Sequence, residues 1–236
     1  MQPILFDKAL LQFFSSFAAN HSHINDFVIL LSDNDLLKGG VLVTLCWFLW
    51  FSDAGNSLIL KLNRKGVFNT ILYAFVALFI TRVAVHIFPF RPRPFLNTDL
   101  GLFVFPNLNI LAFSRESSFP SDHATLFMSM SYGIWKTNKK VGLVAILYAI
   151  IFILIPRMYL GLHYPSDILI GSLIGIICVE IGFRFNFAKS IESYLFAFEE
   201  KAPQYFYPIL FILSYQIADL FEDSRNIFGF ILHGKI

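Results

Sequence analysis

The sequence predicts an all-α protein: a polytopic membrane bundle of about six transmembrane helices with an N-terminal amphipathic segment. Of the 236 residues, 56% are hydrophobic and only 14% are charged, whereas soluble domains are roughly a quarter charged. The 29 phenylalanines suit burial in lipid better than a small soluble core. The net charge of +2 creates no basic field, so we expect no nucleic-acid partner.

The predicted elements follow from the apolar runs and the charges that interrupt them. Residues 1–35 mix Phe and Leu with acidic side chains, which is typical of one or two interfacial amphipathic segments. Several of the later runs meet a charge before the roughly 20 residues that cross a bilayer, and such charges usually mark function. The six predicted spans are 38–52, 67–88, 120–136, 141–161, 165–184 and 203–221.

We expect a single membrane-embedded domain over 1–236, with its motifs in 86–167 and an extra C-terminal span and tail in 203–236. Cys46 and Cys178 each lie inside an apolar run, which argues against a disulfide framework. Cysteine and histidine do not cluster with ligand spacing, so we predict no metal and no cofactor. The N-terminus lacks the basic start of a cleavable signal peptide.

Loop charge predicts the orientation. Three loops on one side carry the lysines and arginines of 61–65, 136–140 and 184–201, which makes that side cytoplasmic. The connection 89–118 and the turn 156–167 then share the outer side of a cell (inner) membrane, yet they are also basic. Basic residues kept on the outer side favour an anion-binding site there. They are Arg91, Arg93, Arg115 and Arg157.

His163 and Asp167 lie four residues apart where the fifth predicted span begins. Pro165 suits the first position of that helix, which puts Asp167 in its first turn within reach of His163. A carboxylate on one imidazole nitrogen fixes the tautomer and leaves the other nitrogen as a nucleophile. Arg157 could clamp two phosphate oxygens. The alternatives are a helix cap for the His–Asp pair and lipid headgroup contact for the arginine.

A second segment has the same layout. Pro120 is expected to open the third span, so Ser121 and His123 lie at a helix N-terminus, where free N–H groups favour an anion. Ser121 adds a hydroxyl donor, and His123 is a candidate general acid. Arg93, at the end of the second span, supplies another guanidinium. Together these residues predict a metal-free phosphoryl-transfer site, although Ser121 and His123 could also serve only as caps.

Four nearby charged residues carry weaker expectations. Arg82 is one turn before His86 and is interpreted as an internal side chain paired with an acidic residue. Arg91 and Arg115 are expected to contact lipid headgroups, with contact to the substrate as the alternative. Asp122 is expected to face water or to bind the counter-group of a second phosphate.

These three segments resemble the signatures of the type-2 phosphatidic acid phosphatase superfamily, which contains membrane lipid phosphatases and the vanadium haloperoxidases. The family patterns are K-x6-R-P, P-S-G-H and S-R-x5-H-x3-D. The chain has Arg93-Pro94 with His86 at the lysine position, P-S-D-H at 120–123, and R-x5-H-x3-D at 157–167 with Pro156 at the serine position. The P-S-D-H form and the F-x-P-R-P-F context are similar to the bacitracin-resistance type of undecaprenyl-pyrophosphate phosphatase.

The resemblance implies a core of roughly six helices and a phosphohistidine mechanism without a metal. His163 would be the nucleophile, Asp167 would orient it, and His123 would protonate the leaving group and then activate water. The phosphate would be bound by Arg93, Arg157 and Ser121, with His86 supplying part of the missing lysine's charge.

The sequence therefore predicts a membrane lipid phosphatase acting on a lipid-linked phosphate or pyrophosphate, with undecaprenyl pyrophosphate as the leading substrate. The runner-up substrates are phosphatidic acid, phosphatidylglycerol phosphate and a lipid A phosphate. Phosphotransfer to another lipid or sugar is an alternative activity, and non-catalytic lipid binding or transport is an alternative from another class. A soluble haloperoxidase is disfavoured because the helices are too apolar for water.

Overall fold

The computed structural model describes residues 3–53, 55–106, 116–224 and 227. Within these residues every regular element is helical, which confirms the predicted all-α class. Arg115 and most of the C-terminal tail lie outside the described residues. Their predicted roles are therefore not addressed by the structure.

The described residues form ten α-helices. They are α1 (Leu5–Ala18), α2 (Ser22–Asp33), α3 (Val41–Phe51), α4 (Ser57–Ile87), α5 (Asp122–Thr137), α6 (Lys139–Tyr148), α7 (Ile155–Tyr159), α8 (Pro165–Phe185), α9 (Lys189–Lys201) and α10 (Pro203–Ala218). A π-helical turn at Leu36–Gly40 precedes α3, and another at Ala149–Leu154 joins α6 to α7. Two short 3₁₀ turns, Pro94–Leu96 and Thr98–Leu100, follow α4.

Three stretches are long and apolar enough to cross a membrane: Ser57–Ile87, Lys139–Tyr159 and Pro165–Phe185. Large apolar side chains such as Phe79, Leu143 and Leu173 are exposed on them, as expected of surfaces that face lipid. The other three predicted spans are helical but only 16 residues long, at Leu36–Phe51, Asp122–Thr137 and Pro203–Ala218. At 1.5 Å per residue each is about 24 Å long, short of the roughly 30 Å hydrocarbon core.

Local sequence signals explain where these helices begin and bend. The Asn56 side chain accepts from the backbone N–H groups of Leu58 and Ile59 and so caps α4. Pro156 lacks an N–H and crowds the carbonyl four residues earlier. The backbone answers by running as a π-helix over Ala149–Leu154, immediately before Pro156.

The centre of the molecule is the packing of α4, α5 and α8 against one another. Small residues on α8 allow the close approach, because a Cβ added at Gly175 would lie 2.5 Å from the carbonyl oxygen of Thr125 on α5. Thr81 of α4 donates to the hydroxyl of Thr125 at 3.0 Å, well inside the bundle. The bundle core is therefore tight and contains small polar side chains that bond to one another.

The two ends of the bundle differ in chemistry. At the end where α4 begins, Arg64 and Lys65 pair with Glu199 and Glu192 of α9 at 2.5 and 2.9 Å. The end where α4 finishes carries the three sequence motifs. There α1 packs against α7 and α8, and α2 packs against α7. The helical character of the N-terminal segment thus agrees with the sequence, and part of α1 is buried by protein.

Substituting Gly175 tests the close approach of α5 and α8. We expect Gly175→Val to lower the melting temperature in detergent, at a cost of about 1–3 kcal/mol, because the side chain forces the two helices apart. Gly55→Ala is the matched control, since an added Cβ there meets nothing within 4 Å. Equal melting temperatures for the two variants would contradict this packing.

Candidate active site

His163 lies in the turn between α7 and α8, and only 2% of its surface is exposed. Its Nδ1 is 2.9 Å from the carbonyl oxygen of Ser118. Because a carbonyl only accepts, Nδ1 carries the ring proton and donates it. The lone pair is then on Nε2, and the donor-only guanidinium of Arg93 lies 3.4 Å from it. This tautomer is the one that a nucleophilic Nε2 requires.

The turn that presents His163 is tight because of Gly161, whose φ of +66° is a conformation that glycine adopts without strain. The backbone N–H groups of Leu162 and His163 both donate to the carbonyl of Arg157, at 3.0 and 3.2 Å. The Gly161 carbonyl in turn accepts from Phe95 at 3.1 Å. The R-x5-H spacing of the third motif therefore corresponds to one closed turn.

Asp167 is fully buried in the first turn of α8, where its Oδ2 accepts from the backbone N–H of Tyr164 at 2.8 Å. Its Oδ1 accepts from Arg91. The distance from Oδ2 to Nδ1 of His163 is 3.9 Å, too long for a hydrogen bond. The direct partner of His163 is thus the Ser118 carbonyl. Asp167, which the sequence predicted as that partner, lies farther from the ring.

Arg91 is buried with 3% of its surface exposed and connects several segments. Its guanidinium bonds Asp167 on one side and Asp7 of α1 at 2.8 Å on the other. It also stacks over the Tyr164 ring at 3.9 Å. Its backbone carbonyl accepts from Ser118 at 2.8 Å. Arg91 was expected to contact headgroups; it is instead an internal residue that supports the His163 turn.

His123 occupies the first turn of α5, facing His163 with 6.4 Å between ring centroids. Its Nδ1 lies 2.9 Å from Oδ1 of Asp122, and Oδ2 of Asp122 lies 2.5 Å from Nη2 of Arg82. Arg82 is thus paired with an acidic residue, as the sequence indicated. Nδ1 of His123 is held by a carboxylate, which leaves Nε2 for chemistry.

The two predicted phosphate-binding arginines are both buried. Arg93 donates to the carbonyl of Leu162 at 3.1 Å and pairs with Glu116 at 3.2 Å. The Glu116 side chain is 55% exposed, so this carboxylate lies at the mouth of the site. Arg157 donates to the carbonyl of Ser32 on α2 at 3.2 Å.

A cleft of about 420 Å³ opens beside these groups. His86, exposed at the end of α4, lines it together with His163 and Arg93. Ser121 is fully buried, and its hydroxyl accepts from Ala124 at 3.3 Å as the cap of α5. The cleft also has apolar walls, formed by Val85, Phe88, Phe90 and Pro120.

Burial and the neighbouring guanidinium of Arg93 hold the pKa of His163 well below its usual range. Its imidazole is therefore neutral at physiological pH, the state in which Nε2 can attack. Burial also lowers the pKa of Arg93, but an arginine keeps its charge under these conditions. The site therefore combines a neutral histidine with a fixed positive charge.

Among the described residues, Asp122, His123 and His163 offer possible metal-ligating atoms within 4.8 Å of one another. The charge that would attract a cation is already compensated, because Asp122 is bound by Arg82 and the Arg93 guanidinium lies against His163. The group therefore suits an anion between the two histidines better than a metal ion.

The sequence did not reveal how three residues shape this site. Asp7, Arg91 and the backbone of Ser118 act through contacts far apart in the chain, so no local pattern reveals them. Asp122 carried a signal, namely a carboxylate directly before a candidate catalytic histidine, but its partner could not be read from spacing alone.

A helical bundle with membrane-length helices and, at one end, two facing histidines beside a buried arginine defines a membrane protein with a site suited to phosphoryl groups. A family model described as the PAP2 superfamily matches residues 66–191, more than half of the chain. The chain belongs to this superfamily, which confirms the resemblance read from its motifs. No solved structure matches it.

Curated relatives narrow the comparison. The chain is 37% identical over 73 residues to the bacitracin transport permease protein BcrC of Bacillus licheniformis, covering 30% of this chain and 36% of that protein. It is 30% identical over 145 residues to the putative undecaprenyl-diphosphatase YbjG of Escherichia coli, covering 61% and 64%. It is 23% identical over 167 residues to the undecaprenyl-diphosphatase BcrC of Bacillus subtilis, covering 71% and 76%. The first two matches span less than two thirds of the relatives' own length.

Substituting Asp7 tests whether α1 is an integral part of the site. Asp7 accepts from Arg91 and from both the backbone N–H and the hydroxyl of Ser166 at 2.8–2.9 Å. We expect Asp7→Asn to lower stability in detergent by about 1–3 kcal/mol, because a buried charged acceptor is lost. Asp26→Asn, at an exposed position on α2, is the control. A melting temperature equal to that of the control would mean that Arg91 does not depend on α1.

Proposed function

We propose that this chain is an integral membrane phosphatase that hydrolyses a lipid-linked phosphate or pyrophosphate through a phosphohistidine at His163. The observation that carries the proposal is the state of that side chain. Its Nδ1–H is held by a carbonyl and its Nε2 points toward Arg93. A buried neutral imidazole in this arrangement is suited to act as a nucleophile, and the neighbouring Arg93 is suited to bind the phosphate.

In the first step, the Nε2 lone pair of His163 attacks the terminal phosphorus of the substrate. A P–N bond forms as the P–O bond to the lipid-bearing group breaks. The protonated form of His123, across the site, gives its Nε2 proton to the departing oxygen. The phosphorylated His163 ring then carries a positive charge, which Asp167 at 3.9 Å from Nδ1 stabilises.

In the second step, neutral His123 takes a proton from water as the water oxygen attacks the phosphorus. The P–N bond breaks, inorganic phosphate leaves, and His163 returns to its neutral form. His123 finishes the cycle protonated, ready for the next substrate. His123 is the side chain that transfers protons in this scheme: it gives one to the leaving oxygen and takes one from water.

Binding of the phosphate rests on charge at the site. Arg93 is next to the attacking nitrogen, and its positive charge would stabilise the negative charge on the phosphoryl oxygens in the transition state. Arg157, His86 and Ser121 are proposed as further phosphate-binding residues. Ser121 would contribute through the N-terminus of α5, which it caps.

Undecaprenyl pyrophosphate is the substrate we propose first, because two relatives are named as undecaprenyl-diphosphatases, one of them putative. Its product would be the lipid monophosphate. The apolar wall of the cleft, which includes Phe88 and Phe90, suits the first segment of a polyprenyl tail.

We further propose six membrane-inserted helices, with α3, α5 and α10 shorter than the bilayer and the site on the outer face of the inner membrane.

Phosphotransfer is the second candidate activity. Another relative, 31% identical over 90 residues and covering 38% of this chain and 36% of that protein, is the lipid A 1-diphosphate synthase of Escherichia coli. The same phosphohistidine could be attacked by an acceptor hydroxyl or phosphate in place of water. The two activities differ only in product, so one assay separates them.

The proposal predicts metal-independent phosphate release. Purified protein in detergent with EDTA is given undecaprenyl pyrophosphate, and in parallel phosphatidic acid. We expect release from the pyrophosphate to exceed release from phosphatidic acid. It should fall by at least about 10³-fold in His163→Ala, because the nucleophile is lost.

His123→Ala should lose about 10²–10⁴-fold, the usual contribution of a general acid–base group. Acid-labile phosphate on the wild-type protein, absent from His163→Ala, would identify the intermediate. Release that survives His163→Ala would refute the phosphohistidine. A phosphorylated lipid product formed only when an acceptor is added would favour phosphotransfer.

The pairing of Glu116 with Arg93 predicts competition with the substrate phosphate. The carboxylate at 3.2 Å occupies a guanidinium donor that a phosphate oxygen would need. We expect Glu116→Gln to lower the Ki of inorganic phosphate by about two- to fivefold, since an ion pair whose carboxylate is exposed to solvent is worth about 1 kcal/mol. Asp99→Asn, an exposed acid in the same connection, is the control. An unchanged Ki would show that Glu116 and phosphate do not compete.

A further inference from the structure

Asp122 lies between a candidate catalytic histidine and an arginine from another helix. Its Oδ1 is 2.9 Å from Nδ1 of His123, and its Oδ2 is 2.5 Å from Nη2 of Arg82. Only 16% of the Asp122 side chain is exposed, and the residue lines the cleft. Both carboxylate oxygens are therefore engaged, one toward the site and one toward α4.

We propose that Asp122 is a positioning residue for His123, and that Arg82 holds Asp122 in place. The carboxylate fixes His123 with its proton on Nδ1 and stabilises the imidazolium that forms when Nε2 is also protonated. This inference rests on the proposed function, in which His123 is the general acid and base. It gives the aspartate of the P-S-D-H segment a role in proton transfer.

The local geometry supports a fixed carboxylate. Asp122 is the first residue of α5, where the helix dipole favours a negative charge. Its Oδ1 also accepts from the backbone N–H of His123 at 2.7 Å. One oxygen thus holds both the backbone and the ring of the same residue. A simple helix-end charge would not need the ring contact or the second helix's guanidinium.

Other charges act on His123 and define what Asp122 must offset. Burial disfavours its charged form most strongly, and the positive charges of Arg157 and Lys38 act through space in the same direction. His163 faces it across the site. Asp122 is the carboxylate in contact with the ring, so it is the group that favours the protonated state.

Both steps depend on the protonation state of His123, whose ring Asp122 contacts. In the first step His123 begins as an imidazolium and gives its Nε2 proton to the leaving oxygen. In the second step it regains a proton from water. The Nδ1 proton stays between His123 and Asp122 throughout, and Asp122 remains ionised. Loss of the carboxylate therefore removes stabilisation of the charged imidazole in both steps.

The test compares Asp122→Asn and Asp122→Gly with wild type, with Asp99→Asn as the control. Turnover of undecaprenyl pyrophosphate is measured against pH, and phosphate on His163 is trapped by rapid quench. We expect kcat to fall by about 10- to 100-fold in both variants. We also expect the alkaline limb of kcat/KM to move to lower pH, because an imidazole without its carboxylate loses its proton more readily.

The outcomes separate this inference from the proposed function. If wild type turns over substrate and forms phosphohistidine but both Asp122 variants keep its kcat and its alkaline limb, the role of Asp122 is refuted and the function stands. If wild type forms no phosphohistidine, the proposed mechanism itself fails. Because Asp122→Gly places no amide donor against Arg82 or His123, it carries the test if Asp122→Asn does not fold.

A double variant tests the part played by Arg82. If Arg82 acts by holding Asp122, Arg82→Met lowers kcat, yet Arg82→Met combined with Asp122→Asn is no slower than Asp122→Asn alone. Losses that multiply in the double variant would show that Arg82 acts independently of Asp122.

Discussion

The guanidinium of Arg91 carries a full charge into the interior of the protein, and the motif end of the bundle is arranged around it. A buried charge is tolerated only when it is paired and hydrogen-bonded, since its desolvation costs several kcal/mol. Asp7 and Asp167 supply the pairing, and the Tyr164 ring covers the guanidinium face. These partners come from α1 and from the start of α8, so those elements must meet whenever Arg91 is buried.

The position of His163 depends on the same residue by two routes. The side chain of Arg91 holds Asp167 in the first turn of α8, and its backbone carbonyl holds the N–H of Ser118. Ser118 then accepts the Nδ1 proton of His163. The second motif is tied to the third as well, because the N–H of Ser121 donates to the carbonyl of Asp167 at 3.3 Å. The three motifs are thus one bonded unit at the helix ends.

Local and periodic features of this protein could be read from its sequence. The apolar runs predicted the helices, Pro165 marks the start of α8, and Ser121 is the cap that its residue type favours. The number of membrane spans was harder to predict, because α3, α5 and α10 are apolar but too short to cross a bilayer by length alone. The Ser118 carbonyl and the Asp7–Arg91 pair could not be foreseen, since they join residues 45 and 84 positions from their partners.

The two histidines differ in what holds their Nδ1 proton, and this difference supports the separate roles proposed for them. His163 donates to a neutral carbonyl, which fixes the tautomer but does little to favour a second proton on the ring. His123 meets a carboxylate, which favours the imidazolium. A nucleophile must keep its lone pair, whereas an acid–base group must gain and lose a proton within the cycle. Two histidines whose rings face each other at 6.4 Å can therefore act differently, because His163 donates to a carbonyl dipole and His123 contacts a charged carboxylate.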